Sequence, residues 1–496
     1  MDQHEIDRFG RTFQEFLDLV VHPSRERAGS QPIIERVEQF LGADPLSLPV
    51  VSETFEPYQH PTVQLAIDAI LSRDDVTHDL IGTAGHGREQ FSFSELLQMS
   101  RLHLGFGVGA VDYATLPVSA DEEMTCVRFG LYLIDDGTTR VAVLVRGASR
   151  MREGKPAVEV LGLSRDDARR WLDEFRAERV RNDKLRGQVL SFAPAEHDPS
   201  ASPIQFHRRP DLPRADVILP DGVLERIERQ VIGIAEHRER LSQENRHLKR
   251  GVLLYGPPGT GKTHTVRYLT GQLTDVTVVL LAGPAIGYVS QACELARSLQ
   301  PAVIVLEDVD LVAEDRSFGG GGGLLFMILD QMDGLSGDAD VCFLLTTNRA
   351  DLIETALAQR PGRVDLAVEV PLPDADGRAR LLALYGGGIV LSADDTAAIV
   401  EHTAGVPASF IKELTRRATL LAVSRGAAAT SPAHLHQALD ELLADQQALT
   451  RRLLGVPGEP APPEPGVAPP PHLAATPAMG WFAAAPHAQR IRAYRP

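Results

Sequence analysis

The pattern of apolar positions predicts helices first and then strands in the N-terminal part of the chain. Two early stretches repeat at helical spacing, and each predicts a helix. They comprise Phe13, Phe16, Leu17 and Val20, and then Ile33, Ile34, Val37, Phe40 and Leu41. Further on, the runs VRFGLYLI and RVAVLVRG flank Asp136-Gly137, which is a hairpin signal, and Ser164 has the chemistry of a helix N-cap. We therefore expect an α+β domain over residues 1–192.

The pattern changes three times in the rest of the chain. Residues 193–214 are rich in Pro, Asp and Ser and predict a linker. One apolar helix face follows, made of Leu224, Ile227, Val231, Ile234 and Leu241. Strand and helix patterns then alternate, which over residues 215–373 predicts a parallel α/β sheet covered by helices. Residues 374–452 predict a small helical lid, in which Ser431-Pro432 begins a helix, and residues 453–496 are Pro- and Ala-rich and predict disorder.

Composition narrows the class of partner. The formal net charge is -17, which would repel a phosphate backbone, so we expect a protein partner and no nucleic acid. The three cysteines are far apart and lack metal-ligand spacing, as is typical of a reducing compartment. The sequence shows neither a signal peptide nor an apolar run of bilayer length, so we expect a cytoplasmic protein without a membrane contact.

The strongest chemical signal is GPPGTGKT, which lies between the strand pattern VLLY and the helix pattern HTVRYLTGQL. Its glycines allow backbone N–H groups to surround phosphates at a helix N-terminus. We expect Lys262 to reach the β- and γ-phosphates of ATP and Thr263 to place its hydroxyl on Mg²⁺. The predicted nucleotide-binding residues are Gly256, Pro257, Pro258, Gly259, Thr260, Gly261, Lys262, Thr263 and His264.

A second signal is VIVLEDVD, residues 303–310, in which an apolar strand ends in acidic side chains. In α/β sheets ligands bind at the carboxyl ends of the strands. Glu307 and Asp308 are therefore predicted, together with Thr263, to form the magnesium side of the site.

The order of these motifs resembles the AAA branch of the AAA+ ATPases over roughly residues 215–450. In that family the acidic strand ends in Asp-Glu, where Asp holds the magnesium shell and Glu polarises the attacking water. Here the order is reversed. The resemblance implies that Glu307 takes the magnesium-side position and Asp308 acts as the base, although the reversal leaves the opposite assignment open.

The resemblance also assigns roles to residues further along the chain. Asn348, at the end of FLLTTN, matches the first sensor, which helps to orient water, unless it only begins a turn. Arg360 and Arg363 match arginines that reach the nucleotide of a neighbouring subunit, unless they are solvated loop charges. Such a shared site implies an oligomer, which in this family is a hexamer.

Weaker matches concern substrate handling and signalling. Tyr288 and Val289 stand where the family has a pore loop that grips an extended polypeptide, although Tyr288 could instead pack into the sheet. The run Gly319 to Gly323 could form a second pore loop. Asp333-Gly334-Leu335 resembles the family's inter-subunit signalling turn, and Ser409 falls where the lid has a small residue near the adenine.

These observations lead to one principal prediction and two alternatives. We expect a ring-forming ATPase that uses ATP and Mg²⁺ to remodel, unfold or disassemble protein partners chosen by its N-terminal domain. A nucleotide-switched assembly scaffold and a nucleic-acid motor or loader could be built on the same module. No His-Glu-x-x-His motif occurs in the sequence, so it predicts no fused zinc protease of that kind.

Overall fold

The computed structural model describes most of the chain in two compact units, Met1–Ala438 and Leu439–Pro496. The described residues are 31–85, 87–102, 106–148, 155–192, 204–310, 327–328, 330–332, 334, 339–349, 351 and 364–444, with the backbone alone for 445–453. The first predicted helix and the tail after Leu453 lie outside them. Among the described residues, no helix is long and apolar enough to cross a bilayer.

The N-terminal domain is an antiparallel sheet between two pairs of helices. Its strands are β1 (Val50–Thr54), β2 (Thr77–Thr83), β3 (Val108–Gly109), β4 (Asp112–Pro117), β5 (Glu123–Asp135), β6 (Arg140–Arg146) and β7 (Ala157–Gly162). They follow the order β1-β7-β6-β5-β2-β3, with β4 paired to β5. The helices are α1 (Ile33–Leu41), α2 (His60–Leu71), α3 (Phe93–Arg101) and α4 (Arg165–Arg181).

Alternation along the central strands explains why both faces of this sheet are covered. On β6, Val141 and Val143 join the core beneath α2 and α4, whereas Ala142 and Leu144 join the core beneath α1 and α3. The predicted hairpin is confirmed, because β5 pairs with β6 and Gly137 has a φ of +77° in the turn. The Ser164 cap is also confirmed, since its side chain accepts from the backbone N–H of Asp167.

A second sheet of seven strands carries the motifs. It contains β8 (Val189–Phe192), β9 (Ile204–His207), β10 (Arg250–Tyr255), β11 (Thr277–Ala282), β12 (Ala302–Glu307), β13 (Val341–Thr347) and β14 (Leu366–Glu369). The order is β14-β10-β13-β12-β11-β8-β9, and all neighbours are parallel except β8 and β9. The helix α8 (Lys262–Gln272) and the helix α9 (Val289–Ser298) contribute to the two cores that flank this sheet.

The structure contradicts the predicted linker boundaries. Strand β8 falls inside the predicted N-terminal domain and β9 inside the predicted linker, yet both extend the second sheet beyond β11. Polar composition did not prevent β9 from forming, because its partner strand supplies the hydrogen bonds and Ile204 is buried. Arg209 holds the segment after β9 against the second sheet, because its guanidinium donates to the carbonyls of Thr270, Gly187 and Val276.

The single helix expected after residue 220 is interrupted. It consists of α5 (Val223–Glu228), a π-helical turn (Arg229–Gly233), α6 (Ile234–Glu236) and α7 (Arg238–Gln243). Leu224, Ile227 and Val231 are buried, as the apolar spacing predicts. The spacing therefore located the buried face but not the breaks in the backbone.

Among the residues described after β14, all regular elements are helices, in agreement with the predicted composition of the lid. They are α10 (Ala375–Tyr385), α11 (Ala393–His402), α12 (Ala408–Ser424) and α13 (Pro432–Leu453). The buried Arg378 side chain ties α10 to α11, because its guanidinium donates to the carbonyls of Pro373 and Val400. The residue range of the lid remains a prediction.

Candidate functional site

The glycine-rich loop joins β10 to α8 and requires glycine at two positions for steric reasons. Gly256 has a φ of +146°, and a Cβ there would lie 2.3 Å from the carbonyl oxygen of Val370. Gly259 has a φ of +75°, and its Cβ would lie 2.2 Å from Ser409 Oγ. At both positions, the clash that an added Cβ would make and the positive φ angle exclude residues larger than glycine. The loop therefore lies against both β14 and the lid.

Lys262 begins α8 and is folded back into this loop. Its Nζ donates to the carbonyls of Gly256 and Pro257, both at 2.8 Å. Burial lowers the pKa of Lys262, while the charges of Asp308 and Asp310 oppose that change. The ammonium thus lies between the helix N-terminus and two carboxylates, where a polyphosphate could replace the two carbonyls as its partner.

Asp308 follows β12 with a backbone conformation that is rare for a residue with a side chain. Its φ is +50°. The backbone N–H of Asp308 donates to Thr346 Oγ1 at 3.0 Å, and Asn348 Nδ2 donates to Asp308 Oδ1 at 3.2 Å. The structure therefore brings the predicted base and the predicted sensor together across β12 and β13.

Asp310 belongs to the same cluster, although no role was predicted for it. Its side chain is buried, and its Oδ1 accepts from Thr347 Oγ1 at 2.9 Å and from the backbone N–H of Asn348 at 3.0 Å. These bonds hold the end of β13, and with it Asn348, in place beside Asp308. The sequence feature that could have identified Asp310 is its position two residues after Asp308 in the acidic motif.

Glu307 occupies a different side of the site. It is half-buried at the end of β12 and lines a groove of about 450 Å³ together with Thr263 and Arg267. Burial raises the pKa of Glu307, Asp308 adds to the rise, and Arg267 opposes it. Oxygen donors such as a threonine hydroxyl and a carboxylate suit Mg²⁺, so Thr263 and Glu307 fit the predicted metal side.

The phosphate loop opens into a cavity of about 330 Å³ whose far wall belongs to the lid. Asp308 and Asn348 line it on the sheet side, and Tyr385, Ser409 and Lys412 line it on the lid side. Lys412 Nζ lies 5.6 Å from the centroid of the Tyr385 ring, a cation–π geometry. Tyr385 and Lys412 were missed, because nothing in their local sequence indicates that the lid brings them to the loop.

Two further contacts connect the loop to its surroundings. His264, a predicted nucleotide-binding residue, lines the same cavity, and its Nε2 lies 3.1 Å from the carbonyl oxygen of Asp216. The backbone N–H of Ser409 donates to the Gly259 carbonyl at 3.0 Å. Ser409 therefore packs on the phosphate loop.

The predicted pore-loop residues end a 3-10 helix, Gly283–Tyr288, and begin α9. Val289 is fully buried in the core beside the sheet, so the prediction that it grips a polypeptide is wrong for this conformation. Tyr288 is partly buried, and its ring stacks on Phe192.

Several predicted residues lie outside the part of the chain that the structure describes. Arg360 and Arg363 are among them, as are the run Gly319 to Gly323 and two residues of the signalling turn, Asp333 and Leu335. Their roles remain predictions.

Comparison with known proteins agrees with the geometry. Residues 252–372 match the family described as "ATPase family associated with various cellular activities (AAA)". The chain is 32% identical over 230 residues to an ATP-dependent zinc metalloprotease FtsH of Synechococcus sp. (strain JA-2-3B'a(2-13)), covering 43% of this chain and 36% of the relative. It is 27% identical over 289 residues to a proteasome-activating nucleotidase of Thermococcus onnurineus, covering 55% of this chain and 72% of the relative.

A second FtsH, from Cutibacterium acnes, is 33% identical over 220 residues, which cover 41% of this chain and 30% of the relative. The matched part thus spans only about a third of these two FtsH proteins. The family match includes β10 with the phosphate loop, β12 with its acidic end and β13 with Asn348. Since both the motifs and their arrangement agree, residues 252–372 form a nucleotide-binding AAA domain, and over this part the chain is similar to AAA+ ATPases.

Proposed function

We propose that this chain hydrolyses Mg²⁺-ATP in a ring of identical subunits and uses the energy to remodel or unfold protein partners. The observation that carries the proposal is the convergence of Lys262, Asp308 and Asn348 on one cavity beneath a helical lid. The relative named proteasome-activating nucleotidase, matched over 72% of its length, supports a protein-directed activity. The net charge of -17 also favours a protein over a nucleic acid.

In the proposed reaction, Lys262 exchanges the Gly256 and Pro257 carbonyls for the β- and γ-phosphates. Thr263 and Glu307 would hold the magnesium ion. The ion, when bound, neutralises charge that develops on the transferred phosphoryl group. Asp308 accepts the proton of the attacking water, and Asn348 keeps the Asp308 carboxylate in position.

The division of labour between the two carboxylates is supported by where each one lies. Asp308 lines the nucleotide cavity, whereas Glu307 lines the neighbouring groove with Thr263. Asp308→Asn should therefore retain ATP and slow turnover about a hundredfold or more. If Glu307→Gln binds ATP but fails to hydrolyse it while Asp308→Asn still hydrolyses it, the roles are reversed.

We further propose that Arg360 and Arg363 act on the nucleotide of the neighbouring subunit, and that the ring is a hexamer. Arg363→Ala should bind ATP but hydrolyse it poorly, because the guanidinium acts in trans. Mixing it with Lys262→Ala subunits should restore part of the activity, since an intact site forms where the variants meet. Full activity of a monomer at nanomolar concentration would contradict this arrangement.

The N-terminal domain is proposed to select the partner, and the cytoplasm is the proposed location. The decisive assay compares the ATPase rate alone, with an unfolded protein and with DNA, using Lys262→Ala as the inactive control. We expect the unfolded protein, and not DNA, to accelerate ATP hydrolysis. Acceleration by DNA would instead favour a nucleic-acid motor, and a slow rate unaffected by either would favour the scaffold.

A further inference from the structure

Strand β8 places an aromatic ring against the predicted pore loop. Phe192, the last residue of β8, is buried, and its ring stacks on Tyr288 with centroids 5.4 Å apart and planes 9° apart. Stacking at this separation is a favourable aromatic geometry. Ile286 in the same 3-10 helix is fully buried, so the loop Gly283–Tyr288 is held by the core and by this ring.

The strand that carries Phe192 is a direct continuation of the N-terminal domain. Asp183, just after α4, accepts a hydrogen bond from Thr62 Oγ1 of α2 at 3.2 Å. Two residues later Leu185 enters the core of the ATPase sheet. Arg186 then donates to the carbonyls of Ser298 and Gln300, at the end of α9, at 2.9 and 2.7 Å.

Additional contacts hold residues 183–191 against the ATPase core. Tyr58 of the N-terminal domain packs against the same ATPase core as Leu185. The backbone of β8 pairs with β11 over three positions, Val189 to Ser191. A displacement of the N-terminal domain must therefore move β8 or break these contacts.

We propose that Phe192 is a positioning residue that clamps Tyr288 to the sheet edge, and that the N-terminal domain controls this clamp through β8. When the clamp is closed, the Tyr288 ring is covered by Phe192; when β8 shifts, the ring is released toward an extended polypeptide. The second step rests on the proposed protein-remodelling function. The first concerns the loop alone and can be tested without any substrate.

The test is amide hydrogen exchange of the loop, residues 283–288, in the full-length protein. Phe192→Leu keeps an apolar side chain but removes the ring stack, and we expect exchange in this loop to accelerate about three- to tenfold, the effect of losing one aromatic pair. Phe192→Tyr retains the ring and should behave as the wild type. Leu190→Val is the control, because Leu190 is also buried on β8 in the same core and makes no stack with Tyr288, and the change likewise leaves a smaller aliphatic side chain.

Unchanged exchange in Phe192→Leu, or equal acceleration in Leu190→Val, would overturn the clamp. Arg186→Ala tests the control by the N-terminal domain. This change removes the hydrogen bonds from Arg186 to Ser298 and Gln300 without altering Tyr288, so it should also accelerate exchange in the loop. If exchange is not accelerated, the N-terminal domain does not control the clamp.

The consequence for substrate is measured separately, as protein unfolded per ATP hydrolysed. Phe192→Leu should raise this ratio by making Tyr288 available. If the wild type unfolds no protein at all, the proposed function fails while the exchange result still decides the clamp. If the wild type unfolds protein and Phe192→Leu does not change the ratio, release of Tyr288 toward substrate is refuted.

Discussion

The positive φ of Asp308 permits a test that separates backbone strain from side-chain chemistry. Asp308→Gly and Asp308→Ala both remove the carboxylate and its bond to Asn348, so they differ only in the Cβ atom. In the left-handed region a Cβ costs about 1–2 kcal/mol, whereas the greater freedom of unfolded glycine costs about 0.5–1 kcal/mol. The glycine variant should therefore be more stable than the alanine variant by about 0.5–1 kcal/mol.

Glu307 provides the matched control, because it precedes Asp308 and lies in a strand with ordinary backbone angles. There the usual order should hold, with Glu307→Ala more stable than Glu307→Gly by about 0.5–1 kcal/mol. Thermal unfolding of nucleotide-free protein resolves these differences, since 1 kcal/mol shifts Tm by about 2–4 °C in domains of 150–250 residues. Both Asp308 variants should also lose ATPase activity.

The reasoning fails if Asp308→Ala is as stable as Asp308→Gly, because the left-handed conformation would then carry no strain. If glycine is more stable than alanine at position 308 but less stable than alanine at position 307, the protein maintains an unfavourable backbone conformation at Asp308 that directs its carboxylate at the nucleotide.

Three other predictions concern the site. Lys412→Ala removes an exposed cation from the cavity wall, so it should raise the Kd for ATP about five- to tenfold and leave thermal stability unchanged. If a titration shows the same ATP affinity as in the wild type, Lys412 does not contribute to the site. Gly259→Ala should destabilise the protein and block ATP binding, and adding Ser409→Gly should restore only part of the loss, since the φ of +75° remains strained; full rescue would show that the clash alone matters. Burial raises the pKa of Glu307, so the native state holds this proton more tightly than the unfolded chain and stability falls as pH rises from about 4.3 through the folded-state pKa. Glu307→Gln should therefore stabilise the nucleotide-free protein at neutral pH but not below about pH 4, and a constant difference across denaturation curves at several pH values would contradict this.

The features that the sequence predicted well are those determined locally. The phosphate loop depends on glycines whose φ angles are set within the loop, and Asn348 and Asp308 follow apolar strands that end at the same edge. The residues that were missed reach the site through tertiary contacts. Lys412 and Tyr385 come from separate lid helices, and no local pattern reports that proximity.

The errors have a similar origin. The place of Val289 between the strand VVLLAG and the helix QACELARSL predicts a pore-loop residue, but Val289 begins α9 and is buried in the core. The Pro, Asp and Ser content of residues 193–214 predicts a linker, and the four residues of β9 carry too little periodicity to predict a strand. Pairing with β8 determined its conformation, and β8 in turn pairs with β11.

The position of Arg209 has a consequence for where the catalytic unit begins. The carbonyl groups in the C-terminal turn of α8 carry partial negative charge. The Arg209 guanidinium donates a hydrogen bond to one of them, the carbonyl of Thr270. The opposite end of that helix carries Lys262 toward the phosphates. A protein shortened to begin at residue 215 would keep every nucleotide motif yet lose this guanidinium and expose the edge of β11. The smallest fragment that binds ATP with native affinity should therefore begin before Val189, well ahead of the motifs by which the domain is recognised.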